Sequence, residues 1–236
     1  MDVIIDCIRR DLKAQSDPKI QKASQHFFKD AIMCYGLKTA TVTTIAKKYW
    51  KLVKNRDKEE IFRLCEELYK SGYIEETFIV SNWIYALSKR FEKNDLSTFQ
   101  RFIGTYITNW ASCDSFCNHA MGDYFERFPD QIDELKRWTR SGNRWVRRAA
   151  AVSLIVPAKH GKFLDEVFAI ADLLLTDKDD MVQKGYGWLL KEASRLHQDE
   201  VFNYVLKHRR VMPRTALRYA IELMPKDLKT VAMKKD

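Results

Sequence analysis

Helical periodicity runs through almost the whole sequence, and no stretch alternates apolar and polar residues for long enough to predict a strand. In the first segment, Ile5, Ile8 and Leu12 recur at the spacing of one helix face. The same pattern returns between capping residues and helix-ending Gly or Pro, giving about a dozen amphipathic helices. The sequence therefore predicts an all-α fold.

The second predicted helix starts at Pro18, since proline is tolerated in a first turn, and it runs to about Ala31. Asp57 is a suitable N-cap for the fourth helix. The remaining predicted helices cover residues 39–53, 57–69, 75–91, 95–108, 112–128, 144–156, 162–175, 180–197, 199–207 and 213–223, with a short helix after Pro129.

Units of two or three predicted helices recur at roughly 35–45 residues, the span of HEAT and armadillo repeats. No helix is apolar on all sides, as the central helix of a bundle would be, so a solenoid is favoured over a bundle. No Pro- or Ser-rich linker interrupts the chain. We therefore expect a single domain over residues 1–236, an α-α superhelix of HEAT-like repeats with a basic concave face.

The chain is basic, with 41 Lys and Arg against 32 Asp and Glu and a net charge of +9. Residues 131–236 hold 21 of the basic and 14 of the acidic residues, so +7 of this charge lies in the C-terminal part. A basic surface favours a polyanionic partner, with nucleic acid first. No apolar run reaches 18 residues and the N-terminus lacks a signal-peptide pattern, so we expect no membrane partner and a cytoplasmic location.

Familiar catalytic and metal-binding motifs are absent from the sequence. Cys113, Cys117 and His119 have a metal-like spacing but no nearby fourth ligand, so buried thiols are favoured over a zinc site. There is no Gly-rich phosphate loop, no Gly-x-Ser-x-Gly and no His-Glu-x-x-His. Protease, kinase and dinucleotide-binding classes are disfavoured, and neither a metal nor an organic cofactor is expected.

The first of three unusual segments contains Trp110 and Asp114, which are four residues apart and so share one face of a helix. A lone carboxylate on a basic, phosphate-binding surface would repel phosphate. Asp114 therefore requires either a local cationic target or a structural role, and the structural alternative is that it caps a helix N-terminus.

The second segment places Arg144, Trp145, Arg147 and Arg148 at the start of a helix of small residues. By spacing, Arg144 and Arg148 share a face, while Arg147 points elsewhere. Arginine near a helix N-terminus opposes the macrodipole at a cost of a few tenths to about 1 kcal/mol, yet such a terminus also suits phosphate. Arg144 and Arg148 are candidate DNA contacts; the alternative is a solvated charged turn with Trp145 in the core.

The third segment contains Gly185, Gly187 and Trp188 inside a predicted helix. Each glycine costs roughly 1 kcal/mol there relative to alanine, so close helix packing or close approach of a ligand must offset the loss. Trp188, Lys184 and Lys191 lie off the leucine stripe of this helix. A tryptophan flanked by lysines is a candidate nucleic-acid contact, although tryptophan as ordinary core is the common case.

Taken together, the three segments resemble the AlkD-like DNA alkylation repair family, which consists of HEAT-like repeat alkylpurine DNA glycosylases. The family pattern is a Trp four residues before an Asp, then a W-x-x-R-A-A helix start, then a Gly-Trp helix. Trp110 and Asp114, residues 145–150, and Gly187-Trp188 match this pattern in order. The resemblance covers nearly the full chain by length, helix order and spacing.

The resemblance implies a monomeric, monofunctional glycosylase that excises cationic alkylated purines, such as 3-methyladenine and 7-methylguanine, from duplex DNA without flipping the base. Asp114 would stabilise positive charge developing on the deoxyribose and position the attacking water. Trp110 and Trp188 would pack on the sugar of the lesion, and Arg148 would hold a nearby phosphate.

Some residues depart from the family pattern. Phe27 stands where active members typically carry a Tyr on the second helix, which enters the minor groove, and residues 39–43 lack the Pro and Arg common there. Phe27 is nevertheless a predicted DNA contact, and a second helix of full length favours activity. Two other functions stay open: a non-catalytic relative that binds bent or branched DNA, and a HEAT-type scaffold that binds an acidic protein.

Overall fold

The computed structural model describes residues 2–234, and over these residues the chain is helical, as the periodicity predicts. The described residues contain no strand; one isolated bridge joins Met33 to Tyr73. No helix in this part of the chain is long and apolar enough to cross a membrane.

The chain folds into two compact units, residues 1–116 and residues 117–236. The helices of the first unit are α1 Val3–Ala14, α2 Pro18–Gln25, α3 Thr39–Val53, α4 Lys58–Tyr69, α5 Ile74–Ala86, α6 Asp95–Tyr106 and α7 Trp110–Phe116, with a 3-10 turn at Ser88–Arg90. The second unit begins with a π-helical turn, Cys117–Met121, and has a 3-10 turn at Pro129–Gln131. Its helices are α8 Gly122–Arg127, α9 Asp133–Trp138, α10 Arg144–Val152, α11 Ile155–Lys159, α12 Leu164–Leu174, α13 Asp180–Ala193, α14 Gln198–His208, α15 Arg214–Ala220 and α16 Lys226–Met233.

Alternate helices of the first unit pack in series, α3 on α5 and α5 on α7, while α1 packs on α3 and α4. The core at the α3–α5 contact is built around Trp83, which is 1% exposed and donates its indole N–H to the Ala46 carbonyl at 2.9 Å. Burial of each large apolar side chain contributes roughly 1.5–3 kcal/mol. This stacking of every second helix is the arrangement of a helical repeat.

The second unit also packs helices in series, α10 on α13 and α13 on α15, although two helices separate α10 from α13 along the chain; α12 covers α13. Gly187 lies where α13 meets α15, and a Cβ added to it would lie 2.7 Å from the Ala216 carbonyl oxygen. Close helix packing is therefore what offsets the cost of this glycine in a helix, one of the two explanations that the sequence leaves open.

Several predicted helix boundaries are wrong. The second helix ends at Gln25 and not near Ala31, because the Gln25 side chain closes a loop by donating to the Asp30 carbonyl and accepting from the Ile32 N–H. The helix predicted to start at Ser112 starts at Trp110, and the one predicted over 213–223 is the shorter α15. The helices predicted over 75–91, 144–156 and 180–197 end earlier, at Ala86, Val152 and Ala193.

The described cysteines are all free thiols, and Cys113 and Cys117 are fully buried, as expected for small apolar side chains. Within residues 2–234 no three His, Cys, Asp or Glu side chains come close enough together to hold a metal ion.

Candidate functional site

Helix α7 starts at Trp110 because Asn109 caps it. The Asn109 side-chain oxygen accepts from the Ser112 N–H at 2.9 Å, which is the bond of an N-cap to the third helical residue. Asp114 lies a full turn inside the helix, so the alternative that it caps an N-terminus is wrong. Trp110 and Asp114 share one face of α7, as their spacing predicts, and both are partly exposed.

The opposite face of α7 is locked onto α5 by hydroxyl pairs. The Thr77 and Ser112 hydroxyls are 2.9 Å apart and buried, and those of Ser81 and Ser115 are 3.1 Å apart. Phe116 is fully buried on the same side. Because these contacts fix the rotation of α7 about its axis, they determine the direction in which Trp110 and Asp114 face.

Trp110 is also held from the side, by an aromatic residue that the sequence analysis missed. The Phe28 ring stacks on the indole with a centroid separation of 5.5 Å and an interplanar angle of 22°. Offset stacking of this kind contributes roughly 0.5–1.5 kcal/mol beyond apolar burial. Phe28 follows the end of α2, so no local periodicity could have paired it with Trp110.

Phe27 stands next to Phe28 but faces solvent, with 73% of its surface exposed. It lies in the loop that Gln25 closes and not on a helix. An exposed phenyl ring on such a loop is available for contact with a ligand, so Phe27 keeps its place among the predicted DNA contacts.

The alternative predicted for the start of α10 is a solvated charged turn with Trp145 in the core, but Arg144 and Arg147 there are ion-paired and Trp145 is only partly buried. Arg144 forms an ion pair with Asp179 at 2.9 Å and lies 4.9 Å from the centroid of the Trp145 ring. Arg147 forms an ion pair with Asp177 at 2.7 Å. These aspartates precede α13, and their charge offsets the unfavourable interaction of the arginines with the α10 macrodipole.

Arg148 is 4% exposed and packs between α10 and α13. It donates a hydrogen bond to the Met181 carbonyl, and its Cγ lies 3.3 Å from the position of a Cβ on Gly185. Gly185 therefore leaves room for the arginine side chain, which explains the second glycine of α13. The role of Arg148 as a phosphate contact stays a prediction.

Trp188 is half-buried on α13, off the leucine stripe as predicted, and its indole N–H donates to Glu192 Oε1 at 3.3 Å. Both predicted lysine contacts on this helix are ion-paired: Lys184 with Asp180 at 3.3 Å and Lys191 with a glutamate of the segment after α15 at 2.8 Å. Glu192, like Phe28, is a neighbour of a predicted site residue that the sequence analysis did not single out.

The candidate residues on α7 and those on α10 and α13 attract opposite charges. The α7 face presents a carboxylate beside an indole, a pair that attracts positive charge through both the anion and the π-face. The α10 and α13 elements carry arginine and lysine, which attract phosphate. The α7 face therefore suits a local cation, and the α10 and α13 elements suit an anion such as a phosphate group.

Comparisons with known proteins bear on the family and the fold. The sequence profile of a family described as DNA alkylation repair enzyme matches residues 8–224. A solved structure described as a predicted DNA alkylation repair enzyme from Enterococcus faecalis superposes with a TM-score of 0.80 at 18% identity, covering 90% of this chain and 98% of that chain. The smu.31 protein of Streptococcus mutans UA159 superposes with a TM-score of 0.54 at 20% identity, covering 83% of this chain and 98% of that chain. A search of curated proteins found no match.

At these identities the solved structures establish the fold, and the profile match over most of the chain establishes the relationship. The chain belongs to the DNA alkylation repair enzyme family.

Proposed function

We propose that this protein is a monofunctional DNA glycosylase that hydrolyses the N-glycosidic bond of cationic alkylated purines in duplex DNA without flipping the base. The observation that carries the proposal is the α7 face, on which Asp114 and Trp110 stand one turn apart on a helix anchored by buried hydroxyl pairs. Family membership supports a role in DNA repair, and the sequence of the α7 face supports this activity.

The reaction follows from the charge of the substrate. An alkylated purine such as 7-methylguanine already carries a positive charge, so it leaves with the electron pair of the glycosidic bond as a neutral base and needs no general acid. The deoxyribose becomes oxocarbenium-like as that bond breaks. One carboxylate facing it stabilises the developing charge, in contrast to the two carboxylates of most glycosidases.

Asp114 is the carboxylate in this scheme. It stabilises the cationic sugar electrostatically and orients a water molecule toward C1′, whose oxygen forms the new bond while its proton is released to solvent. The products are the free neutral base and an abasic site. Trp110, held by Phe28, packs on the sugar with its π-face toward the positive charge.

The DNA backbone is the natural ligand for the second unit in this proposal. Trp188 makes a second contact with the sugar, while Arg148, Arg144 and the two lysines of α13 bind phosphates. These cations are buried or ion-paired in the protein. For Arg144 and the two lysines, binding to DNA would exchange carboxylate partners for phosphates; Arg148 would have to exchange the Met181 carbonyl.

The test is release of 7-methylguanine from a methylated duplex, with abasic sites measured on the same DNA by alkaline strand cleavage. We expect equal amounts of free base and abasic sites, and no strand cleavage before alkali, because the proposed reaction is hydrolysis alone. Absence of both products, with duplex binding intact, would contradict the proposal.

One observation favours a second candidate, a non-catalytic DNA-binding relative. Helix α2 has eight residues and the segment bearing Phe27 is a loop, whereas a second helix of full length was the feature expected to favour activity. This candidate predicts salt-dependent DNA binding without base release.

A further inference from the structure

Helix α13 carries a buried carboxylate one turn from Trp188. Glu192 is 7% exposed, and its Oε1 accepts the indole N–H of Trp188 at 3.3 Å. Buried carboxylates are costly unless they are paired and hydrogen-bonded, so a glutamate at this position requires a specific role.

The Glu192 carboxylate is itself fixed by Arg195. The guanidinium Nε donates to Oε2 at 2.5 Å, and Nη2 donates to Oε1 at 3.4 Å. Burial alone would raise the pKa of Glu192, but the Arg195 hydrogen bond and charge, together with the Trp188 N–H, outweigh burial and lower this pKa below its ordinary value. The acceptor that faces the indole is therefore an ionised carboxylate.

The backbone around Trp188 has little freedom. Gly187 lies against the backbone of α15 at Ala216, and Leu189 and Leu190 are fully buried. What remains free in Trp188 is the rotation of its half-exposed indole about the two side-chain torsions. The hydrogen bond to Glu192 restricts that rotation.

We propose that Glu192 is a positioning residue that holds the indole of Trp188 in the orientation in which it meets the sugar of an alkylated nucleotide. The effect on base release rests on the proposed function, whereas the hydrogen bond between Glu192 and Trp188 can be measured without any reaction. Arg195 completes the arrangement by holding the Glu192 carboxylate in turn.

The experiment compares Glu192→Gln, Trp188→Phe and the double variant with the wild type. The control is Glu134→Gln, because Glu134 forms the same i,i+3 ion pair with an arginine, Arg137, in the same unit. Thermal unfolding of each variant establishes that it folds. The first readout is the indole N–H resonance of Trp188, assigned by its loss in Trp188→Phe.

We expect the Trp188 resonance to shift in Glu192→Gln and to stay in place in Glu134→Gln, because Glu192 accepts that N–H whereas Glu134 pairs with Arg137. The second readout is the rate of 7-methylguanine release. Glu192→Gln replaces a charge-assisted hydrogen bond by a neutral one, which should slow release about five-fold, with no further loss when the same change is made in Trp188→Phe.

The outcomes separate the two claims. An unmoved Trp188 resonance, or equal losses from Glu192→Gln in the presence and absence of the indole N–H, overturns the positioning role. A shifted resonance with the expected non-additive loss supports it. A wild type that releases no base refutes the proposed function, while the resonance still decides whether Glu192 holds Trp188.

Discussion

Replacement of Gly187 by alanine tests the packing that places α13, the helix of Trp188. In an open helix this change would gain about 1 kcal/mol, since alanine is the better helix former. Here the new Cβ would lie 2.7 Å from the Ala216 carbonyl oxygen and 2.8 Å from Tyr219 Cβ. Backbone cannot move aside as a flexible side chain can, so α13 and α15 must separate by several tenths of an ångström.

Overpacking of a core contact costs typically 1–3 kcal/mol, and a clash with backbone belongs at the upper end of that range. After subtracting the helical gain of about 1 kcal/mol, we expect Gly187→Ala to lower the free energy of unfolding by about 2 kcal/mol. For a chain of this length that corresponds to a fall in Tm of roughly 4–8 °C.

Gly185→Ala is the matched control, two residues earlier on the same helix. Its Cβ would meet Arg148 Cγ at 3.3 Å, a side-chain atom that can yield by a few tenths of an ångström. We expect the free energy of unfolding to stay within about 1 kcal/mol of wild type. Urea unfolding followed by circular dichroism measures both variants. A Gly187→Ala protein as stable as the wild type would refute the close contact between α13 and α15.

Three further predictions follow from side chains around the site. The pKa of Glu192 is lowered in the folded protein from the ordinary glutamate value of 4.5, so its ionised form stabilises the fold at pH values above 4.5. This stabilisation is lost as the pH falls through the pKa of the folded state. Glu192→Gln should therefore destabilise the protein at neutral pH in urea unfolding, with the difference from wild type closing in acid; a constant difference would contradict the ionised state. Phe28→Ala should lower the free energy of unfolding by roughly 0.5–1.5 kcal/mol through the lost stacking, and it should slow base release. Phe27→Ala removes an exposed ring, so it should weaken DNA binding with little effect on stability. If Lys184 and Lys191 each bind a phosphate, replacing both by alanine should reduce the slope of log binding constant against log salt by about 1.8, and an unchanged slope would remove them from the interface.

The sequence predicts the helical class and the shared face of Trp110 and Asp114 because both depend on local spacing. Helix caps are less certain from sequence alone: Asn109 and Asp114 are both good N-cap residues, and only the structure shows that Asn109 takes that position. Asn and Asp have nearly equal preferences for the N-cap position, so tertiary packing decides which of the two takes it.

The end of α2 could not be predicted for a different reason. Residues 26–31 contain no Gly or Pro, so the periodicity runs past the true end at Gln25. The chain leaves the helix because the Gln25 side chain closes the following loop, and a more distant group then holds the residues after that loop. Glu75, about forty residues later, accepts the N–H groups of Tyr35, Gly36 and Leu37. Such long-range acceptors leave no local signal.

The same holds for the charged residues of the second unit. Arg144 and Arg147 look like a basic patch in the sequence, yet aspartates thirty or more residues later neutralise them. Asp177 and Asp179 precede α13 at the point where it packs on α10, and nothing in their local sequence marks them as partners of arginine. Net charge therefore overstates the free positive charge of this segment.

The most direct test of the central claim is release of 7-methylguanine from methylated duplex DNA by the Asp114→Asn variant beside the wild type. Asparagine keeps the size of the side chain and removes its charge, and the control Asp6→Asn removes an exposed charge from α1 in the same unit. If the carboxylate stabilises the cationic sugar, Asp114→Asn should release base at least about 100-fold more slowly while binding duplex DNA as the wild type does, and Asp6→Asn should be fully active. Wild-type rates of release from Asp114→Asn would contradict the account.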